Sequence, residues 1–125
     1  MPIENERNIS QEIRLRRWRV MEIETPDGVC SRHVCGHDAK NSRGRASSPI
    51  IEFNQDSMTV TTRSGSVYKL IGLPGNSRLG RSAWHRWCRD NDNVIASQAD
   101  VTSQYMDIDN LSTGEFKKIN NAAGQ

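Results

Sequence analysis

The chain has 125 residues, 34% of them apolar, and a formal charge of only +2. That length suits one domain with a single modest core, no run nears the ~20 apolar residues of a membrane-crossing helix, and the charge alone names no partner. Three cysteines and no apolar leader near the N-terminus predict reduced thiols and a cytoplasmic setting rather than a disulfide framework.

In chain order, residues 1–13 read as a flexible polar arm, 14–106 as a single α+β domain, and 107–125 as a mobile polar tail. Residues Arg17 to Thr25 predict a first strand. Its alternation slips between the pair Trp18/Val20 and the pair Met21/Ile23, as in a bulge or a strand buried on both faces. Thr25-Pro26-Asp27-Gly28 is a turn, because proline presets φ and glycine accepts the left-handed position. Val29 to Cys35 returns as a second strand. Residues 36–49 show no apolar period and predict a long loop.

Pro49 to Phe53 predicts a third strand, closed by the polar turn Asn54 to Ser57. A hairpin follows: Met58 and Val60 alternate with Thr59 and Thr61, and Val67, Tyr68, Leu70 and Ile71 form the return, with Gly65 in the turn between. Ser77 is placed to cap a helix reaching Asp90. Leu79, Ala83, Trp84, Trp87 and Cys88 would line its apolar face, opposite Arg78, Arg81, His85 and Arg89. Val94 to Met106 suits a short strand and a turn of helix. The sum is an antiparallel sheet of four to five strands with one main amphipathic helix packed on it, Trp18 meeting Trp84 and Trp87 in the core.

The chemistry-bearing residues cluster first at Cys30, His33, Cys35 and His37, which His85 and Cys88 would complete as a zinc-stabilised site. One strand cannot wrap four ligands around an ion, because its side chains alternate between faces. A metal-dependent phosphodiesterase or nuclease would use His33, His37 and Asp38, with Asn41 beside them and Arg43 and Arg45 as phosphate clamps. The chain has no Gly-x-Ser-x-Gly elbow and no glycine-rich phosphate loop of known spacing. No cofactor is implied.

Arginine accounts for 13 of the 17 basic residues, and its planar fork suits carboxylates and phosphates. Lys40, Arg43 and Arg45 occupy the long loop, where Gly44 would let a partner approach the backbone. Arg78, Arg81, Arg86 and Arg89 lie on the helix, and Arg14, Arg16, Arg17 and Arg19 crowd the first strand. These residues predict a small non-enzymatic binding module, of the kind common among phage and mobile-element accessory products. Its partner would be an acidic protein surface or nucleic acid, not a membrane.

Overall fold

The structure, a computed structural model, describes residues 12–106. The expected N-terminal arm as far as residue 11 and the expected tail from 107 lie outside them. The elements are β1 (Glu12–Glu24), β2 (Cys30–Asp38), β3 (Arg43–Ala46), β4 (Ile50–Asn54), β5 (Thr59–Thr62), β6 (Val67–Ile71), α1 (Arg78–Asp90) and β7 (Ser97–Asp100). Short 3-10 turns occupy Asp92–Val94 and Thr102–Tyr105. No helix among these residues is long and apolar enough to cross a membrane.

The seven strands form one mixed sheet in the order β3-β2-β1-β6-β5-β4, with β7 added to β1. The expected purely antiparallel sheet of four to five strands is corrected on both counts. The first half of β1 pairs in parallel with β6, from Glu12 opposite Val67 to Arg16 opposite Ile71. The second half pairs antiparallel with β7, from Met21 opposite Asp100 to Glu24 opposite Ser97. Parallel strands need a crossover, and here the whole β2–β5 region serves as one. β1 also begins at Glu12, inside the segment expected to be an arm.

β1 carries a bulge. Its register with β2 shifts between Arg16 and Arg19, and Arg17 takes a left-handed φ of 50°. Leu15 and Trp18 thereby enter the same core, with Val20 following. Beyond Arg19 the register is unbroken, so the slip read in the sequence has another cause. Trp18 and Val20 fill one side of the strand, while Ile23, with Met21 beside it, fills the other.

The larger core joins Leu15, Trp18, Val20, Val34, Val60, Tyr68 and Leu70, closed by Val101 and Tyr105. β2 and β4 touch although three strands, β1, β6 and β5, lie between them in the sheet order, so the sheet must curl around this core. The smaller core joins Ile23, Cys35 and Trp84, with Trp87 and Cys88 against them. Trp18 therefore does not meet the helix tryptophans. Its indole N–H donates to the Gly72 carbonyl at 3.1 Å instead, and His33 packs on them, with ring centroids 5.6 Å from Trp84 and 4.4 Å from Trp87.

Residues 36–49 are not a long loop. Gly36, His37 and Asp38 extend β2, a four-residue turn follows, and β3 returns beside it. Asp38 holds the turn by accepting from the Asn41 backbone N–H at 3.3 Å and its side-chain amide at 2.8 Å. The segment lacks an apolar period because helix backbone covers it. A Cβ on Gly44 would stand 1.9 Å from the Leu79 carbonyl oxygen, and one on Gly80 would stand 2.7 Å from the Gly36 Cα. The close partner of Gly44 is thus the protein's own helix.

Ser77 caps α1 as expected, accepting from the Gly80 N–H at 3.1 Å. The buried helix face runs through Gly80, Ala83 and Trp84. Leu79 was expected on that face but is 44% exposed, because close backbone packing leaves room for Gly80 there and turns Leu79 outward.

Candidate anion-binding site

The register sets the site. Leu15 stands opposite Asp38, which brings Arg14 next to the β2–β3 turn, while Asp38 stands opposite Arg43. On β3, Arg43 and Arg45 are two residues apart and share a face. α1 lies across β3, and Arg86 comes down beside them.

Two adjoining clefts result. The first, of about 350 Å³, is lined by Arg14, Lys40 and Arg45 together with Glu12 and Asp38. The second, of about 390 Å³, is lined by Arg43, Arg45 and Arg86 with Ser48, Ser64 and Ser66, Tyr68, Trp87 and Asp90. Arg45 and Ser66 line both. Each cleft keeps an excess of positive charge, three bases against two acids in the first and against one in the second.

Arg45 is held at the junction. Its Nε is buried and donates to nothing, and the nearest carboxylate oxygen, Asp38 Oδ2, is 3.8 Å away, beyond a hydrogen bond. The rest of the side chain keeps 29% of its surface exposed and lines both clefts. Burial pushes the Asp38 carboxyl up, but the Asn41 side-chain and backbone donors, Arg45 and the Lys40 N–H outweigh it, so the net direction is down. Among the described residues Arg43 and Arg86 enter no ion pair. The recorded pairs are Arg19 with Asp100, Arg32 with Glu22 and Arg45 with Asp38.

The hydroxyls of the second cleft form a row. Ser48 Oγ donates to Ser64 Oγ at 3.1 Å and accepts from the Ser64 N–H at 3.1 Å, and Ser64 Oγ reaches Ser66 Oγ at 3.5 Å. Such hydroxyls can turn their protons toward an arriving anion. Burial pushes the Tyr68 phenol up, against the pull of Arg45 and Ser66, which keeps it a protonated donor at the cleft wall.

Of the site residues read from the sequence, Lys40, Arg43, Arg45 and Arg86 come together here. Arg78, Arg81 and Arg89 line neither cleft, and Arg81 instead donates to Asn76 Oδ1 at 2.9 Å. Sequence reasoning placed Arg14 in a general basic patch and read Ser64 and Ser66 only as turn residues. Nothing in their local text shows that Arg14 of β1 meets Ser66 at the first cleft, or that Ser64 and Ser66 meet the β3 arginines at the second.

His33, common to the metal and nuclease readings, is taken up by the fold. His33 is fully buried, with Nδ1 2.8 Å from the Ser47 carbonyl oxygen and Nε2 2.8 Å from Ser31 Oγ. A carbonyl only accepts, so Nδ1–H donates to it and Nε2 accepts from Ser31. Both ring nitrogens are thus occupied. Cys35 is buried in the smaller core and Cys30 is exposed at the other end of β2. Among the described residues no three His, Cys, Asp or Glu side chains gather as metal ligands. No protein-family model, curated protein or solved structure matches this chain.

Proposed function

We propose that the protein is a small binding module that holds an anionic partner in the joined clefts on either side of Arg45. The observation that carries this reading is the second cleft, where Arg43, Arg45 and Arg86 face three serine hydroxyls while the Arg45 Nε has no acceptor. Guanidinium forks and hydroxyl donors at one concave site match the oxygens of a phosphate or carboxylate group.

The test compares two double variants, Arg43→Ala/Arg86→Ala inside the cleft and Arg78→Ala/Arg89→Ala outside it. Binding of fluorescent polyphosphate and of poly-glutamate is measured at low and moderate salt, with thermal melting of each variant. The expected result is salt-sensitive binding by the native protein and the outer variant, loss of binding in the cleft variant, and similar melting temperatures throughout. Binding that survives the cleft variant and is lost in the outer one would move the site to the exposed helix face.

A further inference from the structure

The two clefts raise a question of ligand length. A single small anion needs one lobe, yet Arg45 and Ser66 belong to both, and further bases stand at each far end: Arg14 and Lys40 in one, Arg43 and Arg86 in the other. One half-buried arginine shared by two basic lobes suits a chain that carries a charge on every link.

We infer that the joined clefts form a track for a single nucleic-acid strand, with Arg45 between successive phosphates and Trp87 beside a base. This rests on the anion-binding reading above and specifies its occupant. The guanidinium forks and hydroxyls suit the oxygens of phosphate and carboxylate alike, but two observations favour a nucleic-acid strand over an acidic peptide. The half-buried Trp87 lines the second lobe, and Trp84, stacked parallel to it at 5.1 Å outside the lobe, and His33 at 4.4 Å hold its ring in place there. The carboxylates Glu12 and Asp90 stand among the bases of the clefts, where they accept from amino groups of the nucleobases; the side chains of an acidic peptide would meet them only as like charges. The second lobe, a concavity between the helix and the sheet, also receives a thin flexible strand better than a stiff duplex.

The test uses the whole protein and fluorescence anisotropy of labelled oligothymidylate, a mixed-sequence RNA strand and a duplex of the same length, with inorganic phosphate and poly-glutamate as competitors. Intrinsic tryptophan emission is recorded in the same titrations. Single strands are expected to bind at least about tenfold tighter than duplex, with a salt dependence that falls by about 0.7 in log–log slope for each phosphate contact removed. Arg14→Ala in one lobe and Arg43→Ala/Arg86→Ala in the other should each weaken binding. Tryptophan emission should change on binding in the native protein and much less in Trp87→Phe, which keeps an aromatic ring in the core. Equal or tighter binding of duplex overturns the inference. Sensitivity confined to the Arg43 and Arg86 lobe also overturns it, because one phosphate then suffices. If poly-glutamate binds at the clefts as tightly as the strands, the strand inference fails while the anion-binding reading stands. If no anion binds at any salt, both fail together.

Discussion

Gly80 of α1 lies directly against Gly36 of β2, so closely that a Cβ on Gly80 would stand 2.7 Å from the Gly36 Cα and 2.9 Å from its backbone N and C. This contact sets the height of the helix over the sheet, and with it the position of Arg86 above Arg43 and Arg45.

An alanine inside a helix gains at most about 1 kcal/mol over glycine, and Gly80 lies in the first turn of α1. At Gly80 the atoms in the way are backbone and cannot swing aside, so overpacking of roughly 1–3 kcal/mol exceeds that gain. Gly80→Ala should lower the urea midpoint, and Gly44→Ala should lower it further, since its Cβ would meet the Leu79 carbonyl oxygen. An unchanged midpoint in both would show that the helix can lift without cost.

Acid should weaken the fold in two windows. Burial pushes the His33 imidazole down, partly opposed by its hydrogen bond to the Ser47 carbonyl and reinforced by Arg63. The unfolded chain then binds the proton more readily, so stability is full above the ordinary imidazole value near 6.5 and is lost as pH falls below it. The Asp38 carboxyl is shifted down, so its contribution is present above the usual carboxylate range and is lost as pH falls through its lowered folded value. Denaturation midpoints between pH 8 and pH 3 should show both losses, and His33→Gln should remove only the first.

The thiols should react in the order Cys30, Cys88, Cys35. Cys30 is exposed, Cys88 half-buried and Cys35 buried, and desolvation by burial pushes the Cys35 thiol up to about 12. Only the thiolate is nucleophilic. A thiol reagent at neutral pH should modify Cys30 first, and Cys35 only after denaturation. Early labelling of Cys35 would mean that the smaller core opens readily.

Arg17 should tolerate glycine and reject valine. Its φ of 50° is left-handed, a conformation that costs a β-branched side chain most. Arg17→Gly should leave stability unchanged or raise it by up to about 1 kcal/mol, while Arg17→Val should lower it, both read as shifts in thermal midpoint. Equal midpoints for the two variants would show that the bulge does not hold Arg17 in this conformation.

The hairpin at Met58 to Ile71, the Ser77 cap and the helix to Asp90 were legible because each rests on neighbours in the chain: alternation, a turn glycine, a capping hydroxyl. The β2–β3 hairpin was not. Its strands are kept close to the helix by Gly36 and Gly44, and glycine and arginine leave no hydrophobic period to read. Trp18 and Trp84 looked like one cluster because both are large and apolar, but the bulge at Arg17 gives Trp18 to the opposite face. The candidate site was half legible. Arg43, Arg45 and Arg86 announce positive charge, whereas their meeting with Ser48, Ser64 and Ser66 depends on the curl of the sheet, which no local pattern encodes.

The parallel register of β1 with β6 has a consequence for the order of assembly. The β1–β2 and β5–β6 hairpins can each form from adjacent sequence, but neither makes a closed core. Closure waits until Glu12 to Arg16 find Val67 to Ile71 across most of the intervening chain, and such distant pairing is the slow, entropically costly step of folding. Both clefts include residues from each side of that seam: Glu12 and Arg14 against Ser66 in the first, and Arg43 and Arg45 against Ser66 and Tyr68 in the second. The binding surface is therefore among the last features to exist as the chain folds, and an early intermediate holding both hairpins would be structured yet unable to bind.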